Sequence, residues 1–128
     1  MEIDWHLIFV IAVVAHAIGH TLGLIHTLEL VNLSGMPTNE SWLLTGQLKL
    51  DRTIIQIISV LWLLVIIGFF VVVGAFWFES SWWKPLAASM VILSVTLFVI
   101  WFNSFPVNTQ IGAAFGNIVV ILGLLQFS

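Results

Sequence analysis

The chain alternates long uncharged apolar runs with short polar breaks. A helix needs about 20 mainly apolar residues to cross the hydrocarbon core of a bilayer. Stretches at residues 5–28, 53–78, 85–102 and 109–127 meet or approach that length. Between Arg52 and Glu79 the continuous Ile, Leu, Val and Phe content is far too long for a buried strand. After Lys84 no charged residue follows, and Asn103-Ser-Phe-Pro106-Val-Asn108 divides that run because Pro106 cannot continue a helix. The pattern predicts an all-α fold, with residues 1–128 forming a single transmembrane domain. It is expected to be an integral membrane four-helix bundle. Short connections at Glu79 to Lys84 and Asn103 to Asn108 require antiparallel neighbours, hence an up-down-up-down order.

Only the first connection is long. It holds Gly35, Pro37 and a cap-like Thr38-Asn39-Glu40-Ser41 before Trp42-Leu-Leu-Thr-Gly-Gln-Leu-Lys49. The pattern predicts a turn and then a short interfacial helix, with Trp42 and Leu43 dipping inward. Tryptophan prefers the membrane interface, and the expected topology puts Trp5, Trp77, Trp82 and Trp83 at one side and Trp42 and Trp101 at the other. Trp62 falls mid-span and is assigned to the bundle interior. Counting Lys and Arg alone, Lys49 and Arg52 against Lys84 favour a cytoplasmic first loop by one charge, with the terminal amine on the side of Lys84. Two glycosylation-type triplets, Asn32-Leu-Ser34 and Asn39-Glu-Ser41, are read as chance matches.

Composition agrees with a membrane chain: 61% hydrophobic residues, 7% charged and a mean hydropathy of +1.18. Six acids against three basic residues leave no basic surface for nucleic acid and no cluster for anionic lipid. The absence of cysteine excludes thiol catalysis, disulfides, iron–sulfur ligation and cysteine-based zinc sites. The acidic start, Met-Glu-Ile-Asp-Trp-His, lacks the positive region of a cleaved signal peptide, so the first apolar run is expected to remain in the mature protein. The expected location is a prokaryotic cytoplasmic membrane.

Ionisable residues within a span face protein and tend to have a role. At about 100° per residue, Glu2, His6, Phe9, Val13, His16, His20, Gly23 and Thr27 form one stripe of the first helix. His26 and Glu29 point elsewhere and are expected to snorkel at the interface. His16 and His20 lie roughly 12 to 18 Å from the end of the first span at about 1.5 Å per residue. Gln56 and Ser59 in the second span, Ser94 and Thr96 in the third and Asn117 in the fourth approach the same depth. A polar layer is therefore predicted, with His16, His20, Asn117 and Gln56 as candidate binding residues, although such a layer could serve only to fix helix register.

Metal and cofactor readings are limited by where the ligands lie. His16 and His20 form His-x-x-x-His, but every carboxylate sits at or beyond a helix end, which leaves no third metal ligand and no zinc-protease signature. All four histidines share one helix, so a haem would have one axial histidine from a single chain, with distant Met90 or a second copy as the other ligand. Haem or quinone binding is one alternative, and a proton-linked transport path through the histidine pair is another. In the fourth span Gly112-Ala-Ala-Phe-Gly116 matches G-x-x-x-G. It is expected to pack against the histidine stripe beside Gly19 and Gly23, or else to form a homodimer.

With these landmarks placed, the chain resembles small four-span bacterial membrane proteins of the DoxX-like type. The resemblance rests on Ala15-His16-Ala-Ile-Gly19-His20-Thr-Leu-Gly23, on Leu61-Trp62-Leu-Leu leading to Gly68-Phe69-Phe70, and on Trp82-Trp83, Ser94, Pro106, Gly112 and Asn117. It implies a link to quinone-coupled sulfur oxidation or membrane redox complexes. It transfers no catalytic residue, and the lack of cysteine departs from any thiol-redox role. The expected function is a non-catalytic accessory or structural subunit of a larger membrane assembly. Its expected partners are the lipid bilayer and either other membrane subunits or further copies of itself.

Overall fold

The computed structural model describes residues 2–30 and 40–127. The order is α1 (Trp5–Gly19), α2 (Thr21–Thr27), a π-turn (Trp42–Gln47), α3 (Arg52–Ser59), α4 (Leu61–Trp77), α5 (Trp83–Ile100), a 3₁₀ turn (Phe102–Ser104) and α6 (Val107–Gln126). No strand occurs among the described residues. Four helical stretches are long and apolar enough to cross a membrane: Trp5–Thr27, Arg52–Trp77, Trp83–Ile100 and Val107–Gln126. These agree with the expected spans to within about two residues at each end, the usual scatter of helix boundaries.

Local chemistry sets the ends. Asp4 caps α1 by accepting the Leu7 N–H at 3.1 Å, and Asp51 caps α3 by accepting the Thr53 N–H at 2.9 Å. Pro106, extended at φ −64° and ψ 155°, is the N-cap of α6 and has no N–H to lose there. Helices α2 and α4 end in left-handed residues, Glu29 and Glu79, both at φ 57°. Behind them the Leu30 and Ser80 N–H groups reach back to the Ile25 and Ala75 carbonyls at 3.0 and 2.9 Å. That is the Schellman closure, built here on glutamate instead of the usual glycine.

The first two spans each carry a break with a side-chain cause. The His20 ring Nδ1 lies 2.7 Å from its own i−4 carbonyl, His16 O. The His20 backbone N–H is then shared between His16 O at 3.2 Å and Ala17 O at 3.1 Å, which separates α1 from α2. In the second span Ser59 Oγ donates to Ile55 O at 2.9 Å, and the Val60 N–H bonds Ile57 O at 3.2 Å. A side chain competing for an i−4 carbonyl loosens the helix in this way.

Helix α1 packs on α4 and α6, and α5 packs on the same two helices. The core holds fully buried Trp62, Trp101, Phe69 and Leu97 together with His20. Trp62 is therefore interior, as its mid-span position predicts. Trp101 and Trp83, assigned to interfaces from sequence, are also buried, at 0% and 5% exposure. Their rings pack inward, Trp101 on Trp62 with centroids 6.1 Å apart and Trp83 on Phe76 at 5.0 Å. Position near a span end sets depth but not facing, and here packing against neighbouring rings decides the facing.

The turn at Trp42–Gln47 docks on the α5–α6 connection. Trp42 donates its backbone N–H to Asn103 Oδ1 at 2.8 Å and its indole N–H to Val99 O at 2.6 Å. Asn103 Nδ2 and Ser104 Oγ both donate to Glu40 O, at 2.8 and 2.9 Å. Within the turn Leu44 is the buried residue, while Trp42 is exposed and Leu43 half-buried. Leu44 is thus the residue of the turn that packs against the protein core. Gly35 and Pro37 of the predicted turn, the Asn32 triplet and Asn39 lie outside the described residues.

Candidate functional site

The predicted stripe of α1 and α2 is buried at Phe9, Val13, His16, His20, Gly23 and Thr27. Its first members, Glu2 and His6, are exposed at the helix start. His20 sits 1% exposed in an aromatic cage, with ring centroids of Trp62, Phe69 and Phe98 between 5.6 and 5.9 Å away. His16 lies edge-on to His20 at 4.4 Å and to Phe69 at 5.0 Å.

Four polar side chains join these helices. His16 Nε2 lies 2.8 Å from Asn117 Oδ1, Asn117 Nδ2 donates to Ser94 Oγ at 3.1 Å, and Ser94 Oγ lies 2.7 Å from His20 Nε2. The chain closes where His20 Nδ1 meets the His16 carbonyl at 2.7 Å.

The direction of every bond follows from that one carbonyl when both imidazoles are neutral. A carbonyl only accepts, so His20 Nδ1 carries the proton and His20 Nε2 is left with a lone pair. Ser94 must then donate its hydroxyl proton to His20 Nε2, which leaves its oxygen to accept from Asn117 Nδ2. The opposite Asn117 rotamer would set two acceptors face to face. Asn117 Oδ1 therefore points at His16 Nε2, which must carry its proton. The outcome is one donor and one acceptor at every junction, and a lone pair on His16 Nδ1.

Gly116 makes room for this arrangement. A Cβ on Gly116 would collide with His16, with Nδ1 the nearest atom. Between α1 and α6 lies a groove of about 400 Å³ whose lining includes His16, His20, Ala12, Gly19, Gly112 and Gly116. Gly112 and Gly19 have nothing within 4 Å of their Cβ directions. The G-x-x-x-G pair therefore divides: Gly116 packs on the histidine stripe, while Gly112 opens the groove. Gly23 and Gly123 pack elsewhere, against Trp62 and Phe9.

Three sequence expectations are corrected. Gln56 does not join the layer; it lines a small cleft with Thr27, Glu29, Glu40 and Arg52. It lies one turn into α3, too near the end to reach His20, and Arg52 forms an ion pair with Glu29 beside it. His26 does not snorkel outward but is 7% exposed, with its ring 5.6 Å from Phe105 and Nε2 without a hydrogen-bond partner. Thr96 is exposed and bonds its own helix at Ile92 O, 2.7 Å away. The hub that the candidate set lacked is Ser94, 0% exposed. Its signal was a lone small polar residue mid-span, but residue type gave no means of ranking it above Ser59 or Thr96.

No group of three or more His, Cys, Asp or Glu side chains is placed to hold a metal ion among the described residues. Met90 packs on Gly68 between α4 and α5, away from the groove lining. Compared with protein-family models, with curated proteins and with solved structures, the chain matches none.

Proposed function

We propose that this chain is a non-catalytic accessory subunit of a larger membrane assembly, an up-down-up-down four-helix bundle of a prokaryotic cytoplasmic membrane with its first-loop turn at the interface. The observation that carries the reading is the hydrogen-bond chain His16–Asn117–Ser94–His20. It engages three of four imidazole nitrogens, two of them in bonds to other helices and one on the His16 carbonyl of the same span. Groups committed in this way fix register and are poor reagents. The resemblance to DoxX-like proteins supports a redox assembly as the host.

The test is to isolate the tagged chain from its native membranes in a mild detergent and measure the mass and composition of the particle. A defined hetero-complex whose partner subunits lose stability when the chain is deleted supports the reading. A lone species with turnover of its own overturns it.

A second reading, a membrane redox protein holding haem or quinone at His16, has one observation in its favour: the groove reaches that ring. Haem ligation through Nε2 of either histidine would break the chain at Asn117 or Ser94. A visible spectrum of the purified protein separates the readings, since a Soret band or stoichiometric bound quinone belongs only to the second.

A further inference from the structure

We propose that the α1–α6 groove is a binding site for a lipid-soluble molecule carrying a hydroxyl group, which donates its hydrogen bond to His16 Nδ1. The proposal goes beyond the subunit reading and does not depend on it. Two independent observations meet at this place. One is shape: an opening of about 400 Å³, within the range of small-molecule sites, floored by Gly112, Gly19 and Ala12 where larger side chains would fill it. The other is polarity. His16 is 8% exposed and its Nε2 is committed to Asn117, while Nδ1, packed beside Gly116, keeps its lone pair unused, and both residues line the groove.

The polarity of the whole chain selects the ligand. Because the proton order is set from the His16 carbonyl outward, Nδ1 cannot become a donor in the neutral chain without reversing every bond behind it. At His16 Nδ1 a ketone, ester or ether oxygen therefore has no proton to accept. An alcohol or phenol does have a partner, and hydrocarbon offers it no other. Leu22, Phe98, Phe115 and Val119 suit an apolar body, and Thr109 is the further polar residue of the lining. The ligand expected is thus an amphiphile with one hydroxyl attached to a ring or chain that lies along the seam.

The experiment uses the full chain in phosphatidylcholine vesicles and two diazirine-bearing probes, a long-chain phenol and its O-methyl ether. The phenol should label peptides of α1 and α6 saturably, and the ether about fivefold more weakly, the size of one neutral hydrogen bond. Ring ¹⁵N spectra of the unmodified chain should show the His16 Nδ1 signal shifting as unlabelled phenol is added, with His20 unmoved. Gly112→Leu, which extends into open groove, should abolish saturable labelling. Equal labelling by phenol and ether would give the groove to lipid acyl chains and overturn the proposal. So would labelling that is not saturable, a His16 signal that does not move, or a groove closed by a second copy and detected as a cross-link through position 112.

Discussion

The ring of His16 occupies the space that a side chain on Gly116 would need. That single relationship brings α1 and α6 close enough for His16 Nε2 to reach Asn117 one residue further on, at 2.8 Å. Gly116→Ala should therefore force the two backbones apart and destabilise the fold by about 1–3 kcal/mol, the usual cost of overpacking. Gly112→Ala, with nothing within 4 Å, should stay within about 0.5 kcal/mol of the parent. Thermal denaturation of both variants in the same detergent tests the contrast, and equal losses would refute the close approach.

The two histidines should hold opposite tautomers. Ring ¹⁵N–¹H spectra of the chain in bilayers are expected to show the proton on Nε2 of His16 and on Nδ1 of His20. A proton on Nε2 of His20 would break the derivation at its first step, because the His16 carbonyl 2.7 Å away can only accept.

Ser94 joins two arms of the chain, so Ser94→Ala leaves His20 Nε2 and Asn117 Nδ2 without partners. A loss of about 1–2 kcal/mol is expected, at the upper end for polar contacts between membrane helices. The pair Ser94→Ala and Asn117→Ala should be less than additive, since either change breaks the same link. Full additivity in a double-mutant cycle would show that the links act separately.

Asn103 ties the first-loop turn to the far connection through the Trp42 N–H and Glu40 O, each at 2.8 Å. Asn103→Ala should speed hydrogen exchange at the Trp42 amide while the amides inside α4 remain protected. Unchanged exchange at Trp42 would mean that the turn is held without Asn103, by the indole bond to Val99 and the Ser104 bond to Glu40 O.

The Arg52–Glu29 ion pair should matter little. The Arg52 side chain is 72% exposed, and exposed pairs contribute about 0–1 kcal/mol. Arg52→Gln is expected to leave the denaturation midpoint nearly unchanged, and a large drop would assign the pair a role in docking α2 on α3.

Much of the fold was legible because the spans depend on one-dimensional quantities. Run length, the lack of charge and Pro106 place four apolar helices without reference to any partner. The buried stripe from Phe9 to Thr27 was readable for the same reason, as helical period converts sequence spacing into facing. Facing failed where a residue sat near a helix end. Trp101, Trp83 and His26 turn inward because aromatic neighbours from other helices receive them, and Trp62, Phe9 and Phe105 are remote from them in sequence.

The sequence by itself determined that the chain makes four membrane-length helices and that His16, His20 and Asn117 lie at comparable depth. Tertiary structure alone decided which of the mid-depth polar residues meet. Ser94 was selected over Thr96 by the facing of α5, along which Met90 packs against Gly68, and over Gln56 because that residue lies only one turn into α3. It also decided the proton order, because a hydrogen-bond chain takes its direction from its anchor. Here the anchor is a backbone carbonyl, a group every residue possesses, and only the fold shows which carbonyl the His20 ring reaches.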